Sequence, residues 1–170
     1  TIGGVEPRGV CGTGLIDLLV LALRKGLMTS GGHILDPSKR IPIAGDLALT
    51  QKDVREVQLA AAAVKTGARM LLSEAGLDVA SLDGLIVAGA FGNEMNVAHA
   101  VAIGLLPRLD RKKIQFVGNS SLAGARALLL SRAERARCER LASRVRHVSL
   151  AKDEKFQETY IQSLELAPWP

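Results

Sequence analysis

Residues 83–96 read DGLIVAGAFGNEMN. Four apolar residues run straight into Gly-Ala-Phe-Gly-Asn, and a helix-compatible segment follows. A buried strand that ends in glycines before a helix makes a tight turn, or it opens a place where a phosphate or nucleotide can approach backbone without meeting a Cβ. Downstream, residues 112–119 (KKIQFVGN) repeat the strand, the glycine and the asparagine, and residues 120–130 (SSLAGARALLL) repeat the helix behind them. With VRHVSL (145–150) as a third strand, the order strand, helix, strand, helix, strand predicts a crossover α/β layer with parallel strands. Ligands of such sheets sit outside the carboxyl ends of the strands, where both glycine turns fall.

Working outward, GVCGTGLIDLLVLALRKGLM opens on a glycine turn and continues as an apolar helix with Leu15, Leu18, Leu19, Ala22 and Leu23 at helical spacing, stopped by Gly26. Residues 29–48 are rich in glycine and proline and predict a surface loop, with HILD and RIPIAG as candidate hairpin strands. Thr50 and Asp53 form a capping box with Asp in place of Glu, opening a long helix whose apolar stripe is Val54, Val57, Ala61, Val64, Ala68, Leu71 and Leu72 and which Gly76 stops. A short helix is expected over 97–103, another over 132–145, and a last amphipathic one in EKFQETYIQSLEL. The tail APWP is expected to fray.

The 170 residues suit a single domain or one large lobe of something bigger. Hydrophobic residues at 48% against 23% charged exclude general disorder. The longest apolar run, 15–23, carries Asp17 and is too short to cross a bilayer, and the N-terminus has no charged-then-apolar leader, so a cytoplasmic location without membrane contact is expected. The net charge of +5 gathers in RLDRKK and in SRAERARCERLASRVRH, whose Glu134 and Glu139 interrupt the arginines as on a solvated helix face. With 3% aromatics there is little to stack on bases, and no nucleic-acid partner is expected.

Two distant cysteines and no Cys-x-x-Cys pair argue against a disulfide and against a metal site built from this chain. Neither Gly-x-Gly-x-x-Gly nor the P-loop pattern is present. Cys11 could be a helix-terminal nucleophile but has no assignable base, and reads as a small buried residue. His99 reads as packing or surface, and His33 as exposed. Asp17, beside the CGTG turn, is the more interesting acid: it would face Mg²⁺ or a water, or pair locally. In the 89–93 turn, backbone N–H groups of the helix near Met95 would meet an anion, Asn93 and Asn119 adding donors and Ser120 capping its helix.

The blocks PRGVCGTGLIDLL, TQKDVREVQLAAAAVKTGARMLL, LDGLIVAGAFGN, AIGLLP, IQFVGNSSLAGARALLLS and EKFQETYIQSLEL, in this order from Pro7 onward, resemble the C-terminal part of the reductive activators of corrinoid proteins, iron–sulfur ATPases of the actin/hexokinase/Hsp70-like superfamily. The resemblance implies an α/β fold: one lobe of an actin-like, ribonuclease H-like ATPase, with a central partly parallel sheet flanked by helices. Residues 1–170 would form a single C-terminal ATPase-like lobe, with the [2Fe–2S] domain and the phosphate-loop regions lying outside this sequence. It further implies an ATP-dependent protein that reduces Co(II) corrinoid proteins to Co(I), with ATP and Mg²⁺ as cofactors and a [2Fe–2S] cluster carried elsewhere in the parent protein. By the match of IVAGAFGN to the superfamily's adenosine motif, Gly89, Ala90, Phe91, Gly92 and Asn93 are implied nucleotide contacts; Gly12, Thr13 and Gly14 are secondary ones. No catalytic residue is assigned, and no ATP turnover is expected from this chain alone. The implied partner is a corrinoid protein or corrinoid-dependent methyltransferase, with a homodimer left open. The alternative is an interaction module that docks that partner or dimerises through the basic helix at 131–147, with no nucleotide role of its own.

Overall fold

The computed structural model describes residues 4–89, 94–150 and 153–169. Helix α1 (Gly12–Arg24) starts at Cys11, whose side chain accepts from the Gly14 amide, and ends before Gly26 (φ 64°), as the glycine spacing predicts. It buries Ile16, Leu19, Val20 and Ala22, one residue round from the expected stripe, while Leu15 and Leu23 flank the core. The loop that follows holds a hairpin of β1 (Arg40–Ala44) and β2 (Leu47–Thr50), antiparallel with Ile41 opposite Leu49. Of the two expected hairpin segments, RIPIAG supplies β1 but HILD contributes only an isolated bridge between Met28 and Ile34. The partner of β1 is instead LALT, because Gly45 takes φ 52° and turns the chain back at once.

Helix α2 (Gln51–Glu74) opens on the predicted capping box: Thr50 accepts from the Asp53 amide and Asp53 accepts from the Thr50 amide at 2.8 Å. Its inner face is Val54, Gln58, Ala61, Ala62, Lys65 and Thr66, so the stripe keeps its period but carries polar residues where Val64 and Leu71 were expected. The C-terminal segment explains this. Helix α6 (Lys155–Ser163) packs on α2, and residues 164–169 then run across it as a strap. Gln58 Nε2 donates to the carbonyls of Gly31 and Leu164, each at 3.0 Å, and Lys65 Nζ to that of Ala167 at 3.3 Å. Leu166 enters the core, and Trp169 Nε1 donates to the Gly104 carbonyl at 2.8 Å. The tail therefore does not fray through Trp169; its indole and backbone are anchored. The core itself joins α1, the hairpin, α2 and the strap around Leu19, Ile34, Val54 and Ile103.

The α/β crossover lies beside this core. Strand β3 (Leu85–Val87) leads through α3 (Val97–Ala102) to β4 (Ile114–Phe116), which pairs with β3 in parallel, Ile86 opposite Gln115. A single 3-10 turn at Arg111–Lys113 precedes β4. Helices α4 (Ser120–Leu130) and α5 (Arg132–Ala142) follow, joined through Ser131 alone. The strand expected at 145–150 is absent: the segment is irregular and mostly exposed, and Arg146 pairs with Glu74 on α2 at 3.0 Å. No described strand pairs with this segment. No helix among the described residues is long and apolar enough to cross a membrane.

Candidate functional site

Both strands of the crossover end in glycine with a left-handed backbone, Gly89 at φ 110° and Gly118 at φ 61°. The Gly89 amide donates to the Gly118 carbonyl at 2.7 Å, so the two turns are tied together at the carboxyl edge of the sheet. A Cβ built on either glycine meets nothing within 4 Å. Among the described residues packing therefore does not demand glycine at these points; backbone conformation does, and a Cβ at either would meet no described atom. Gly89 is the described member of the implied adenosine motif. Ala90, Phe91, Gly92 and Asn93 lie outside the described residues.

Helix α3, just beyond, is the helix whose first amides were expected to meet an anion. It has six residues, and Asn96 already accepts from the His99 amide at 3.2 Å. In α4, Asn119 rather than Ser120 is the cap: its Oδ1 accepts from the Leu122 amide at 3.0 Å, which leaves its Nδ2 amide, the donor expected to serve a ligand, without a partner among the described residues.

Gly12, Thr13 and Gly14 form the first turn of α1. Gly14 has a packing reason to be glycine: an added Cβ would sit 3.2 Å from Val10 Cγ1 and 3.4 Å from Cys11 Sγ. Its amide is already given to Cys11 and the Thr13 amide also acts on the Cys11 sulfur, which leaves that of Gly12 without an acceptor among the described residues. Cys11 is exposed, not buried, because an N-cap stands outside the helix it starts. The Thr13 hydroxyl at 3.3 Å, then the Gly14 amide, hold its thiol below the usual range. A cleft of about 620 Å³ runs along this end of α1, lined mainly by apolar groups with Glu6, Arg8 and Asp17 as its charged members. Its volume lies in the range of small-ligand sites.

The contact that joins these regions escapes sequence reading. Asp17 Oδ1 lies 2.6 Å from His99 Nδ1, across 82 residues, and Arg24 Nη1 lies 3.4 Å from His99 Nε2. A guanidinium only donates, so Nε2 accepts and Nδ1 carries the proton given to Asp17. In place of the local pairing expected of Asp17, its carboxylate reaches across to α3 and pins it to α1. The only clue was an acid at helical spacing from an arginine (Asp17, Arg24) in an apolar helix, with a lone histidine in the helix after the glycine turn. No hydrogen bond among the described residues links Gly89 directly to Gly12, Thr13 or Gly14.

The described edge fits the adenosine end of a nucleotide as far as described backbone goes: two glycines without described side-chain cover at the ends of parallel strands. For Mg²⁺, no group of three or more His, Cys, Asp or Glu side chains gathers among the described residues. A [2Fe–2S] cluster needs four ligands of the cysteine type, and the sequence has two cysteines. This chain's cysteines do not fit it.

A family model described as the C-terminal domain of RACo, the ASKHA domain, matches residues 1–168. Corrinoid activation enzyme RamQ of Eubacterium limosum is 35% identical over 95% of this chain and 32% of its own length. A [Co(II) methylated amine-specific corrinoid protein] reductase of Methanosarcina barkeri is 30% identical over 98% of this chain and 30% of its own. The solved structure of a reductive activator for corrinoid, iron–sulfur protein superposes with a TM-score of 0.86 at 32% identity, covering 99% of this chain and 30% of that one. The chain thus spans about a third of the length of these relatives.

Proposed function

This chain belongs to the family of C-terminal ASKHA domains of corrinoid reductive activators, and from that premise we propose that it is the nucleotide-binding lobe of an ATP-dependent activator that reduces Co(II) corrinoid proteins to Co(I). The observation that carries the nucleotide part is the carboxyl edge of the parallel pair, where a Cβ on Gly89 or Gly118 would meet no described atom within 4 Å. An adenosine can lie against such an edge because no Cβ intervenes, as in other crossover sheets. The residues assigned to it are Gly89, Ala90, Phe91, Gly92 and Asn93. The amides of Gly12 and Thr13, at the positive end of a helix of 13 residues, are assigned to the phosphate side. The Asp17–His99 contact holds α1 against α3 and so fixes the first of these elements relative to the second.

The partner on this reading is a corrinoid protein or a corrinoid-dependent methyltransferase, and the electron comes from a [2Fe–2S] cluster held elsewhere in the parent protein. Mg²⁺ would accompany the phosphates, with ligands from outside this chain. The location is taken as cytoplasmic.

Titration of the isotopically labelled chain with ATP and with AMP, followed by amide shifts, tests the assignment. The expected result is a set of shifts centred on 89–93 with both ligands, and shifts at Gly12 and Thr13 with ATP alone. Silence at 89–93 at millimolar nucleotide overturns the nucleotide role. The lone chain is expected to turn over no ATP, and magnesium-dependent hydrolysis by the purified chain would show that a complete catalytic set is present within it.

A further inference from the structure

The helix pair α4 and α5 is unlike the rest of the molecule. Among residues 120–147 only Leu128, Ser131 and Glu134 are partly covered, and every other residue is exposed. Residues 120–146 hold seven basic side chains and two acidic ones, Glu134 and Glu139. That surplus equals the whole chain's net charge of +5, since the remaining fifteen basic and fifteen acidic residues cancel. All seven are arginines: 126, 132, 135, 137, 140, 144 and 146.

Three of them are engaged within the chain. Arg135 donates to the Leu128 and Leu129 carbonyls, Arg137 stands 3.8 Å from Glu134, and Arg146 pairs with Glu74. Arg126, Arg132, Arg140 and Arg144 have no side-chain partner among the described residues. Helical spacing sets two composite faces. On α4, Leu122, Arg126, Leu129 and Leu130 share one side, and the three leucines are 67–76% exposed. On α5, Arg137, Arg140 and Leu141 do the same, with Arg144 and Val145 in the turn just beyond.

We infer that this helix pair is a docking surface for an acidic protein face, one with leucine-sized apolar groups at its centre and carboxylates around them. The composition selects that occupant over the others. Arginine forks onto carboxylates in pairs of hydrogen bonds and is the basic residue that protein interfaces favour, whereas a surface that merely repels aggregation uses lysine as well. The helix pair has no aromatic residue to stack on bases or to settle in a lipid headgroup layer. A second copy of this chain would bring its own surplus of arginines against the first, and like charge opposes that pairing.

The test uses the full chain and three probes: a synthetic helical peptide with a leucine stripe flanked by glutamates, phosphatidylserine vesicles, and duplex DNA. The peptide is expected to shift amides in 120–147, to bind more weakly as salt rises, and to bind better than either other probe. The exposed triple variant Arg126→Glu/Arg140→Glu/Arg144→Glu should weaken the peptide by about tenfold or more with thermal unfolding nearly unchanged. Leu129→Ser/Leu130→Ser should weaken it separately at high salt, where the charges are screened. The inference is overturned by a silent peptide, by tighter binding of vesicles or DNA, by a triple variant that binds like the parent, or by concentration-dependent self-association that Leu129→Ser abolishes. It does not rest on nucleotide: a chain that ignores ATP and takes the peptide refutes only the nucleotide reading, and the converse refutes only this one.

Discussion

Helices α2 and α4 are mismatched to their surroundings in opposite senses. The inner face of α2 carries Gln58, Lys65 and Thr66, all at most 4% exposed, while α4, with the sequence SSLAGARALLL, buries no residue at all. Apolar composition alone would have ranked them the other way. The difference lies in what stands opposite. Backbone carbonyls of the C-terminal strap and of Gly31 meet Gln58 and Lys65, and a buried amide or ammonium is tolerated when such acceptors meet it, whereas the Thr66 hydroxyl is buried with no partner among the described residues. Nothing described stands opposite the outer face of α4. Burial here is a property of the pair of surfaces, and the half of the molecule that includes α2 is closed while the half that includes α4 is open.

The hardest blow to this contrast would be a leucine pair that fails to separate. Leu166 on the strap is 3% exposed and Leu129 on α4 is 76% exposed. Leu166→Ala should cost about 2–5 kcal/mol of unfolding free energy, because it leaves a cavity among Ile16, Val54 and their neighbours. Leu129→Ala should stay within about 0.5 kcal/mol. Urea unfolding of both variants decides the matter: similar losses would mean that α4 is covered in solution, and that the open half is closed after all.

A smaller effect sharpens where the strap is held. Gly104 follows α3 with φ 76°, and a Cβ there would collide with the Ala167 carbonyl. Gly104→Ala should therefore cost about 1–3 kcal/mol from the left-handed backbone alone, with more if the strap must shift. Fluorescence of Trp169, the single tryptophan, reports the shift, since its indole bonds the Gly104 carbonyl. An alanine variant with unchanged stability and emission would mean that the strap is not fastened at this point.

Legibility in the sequence followed the range of the interaction. The Thr50–Asp53 box spans three residues and could be read directly, as could the stops at Gly26 and Gly76, where positive φ is a local demand. The β3–α3–β4 crossover was legible because a short apolar run, a glycine turn and a helix occur twice in order. What could not be read were the partners. Arg146 finds Glu74, Asp17 finds His99 and Lys65 finds Ala167 over 72 to 102 residues, and no spacing rule covers such distances. Residues 145–150 carry two valines and a leucine, but no described strand pairs with them. The tail was misjudged for a related reason: its position at the end of the chain outweighed a lone tryptophan, whose large apolar surface and indole N–H usually find a site. Of the site, the glycine turns were legible and the contact that pins α3 to α1 was not.

The finest test of the closed half is the charge on Lys65. Burial pushes its ammonium below the ordinary 10.5; Arg69 pushes the same way, and Glu165 opposes both. In the unfolded chain the group recovers its ordinary value, so between the two the unfolded state holds more protons than the folded one. Stability must then rise as pH climbs from the folded value toward 10.5, the reverse of a lysine that gains a carboxylate partner. The slope should be shallow, because the Ala167 carbonyl at 3.3 Å still solvates the charged form in part. Lys65→Met removes the proton and keeps much of the stem. Urea unfolding of both chains between about pH 8 and pH 10.5 should show the parent gaining on the variant with each step upward. A difference that stays flat or shrinks would mean that water reaches the ammonium, that the strap lies less tightly on α2 than its hydrogen bonds indicate, and that the contrast between α2 and α4 is one of degree.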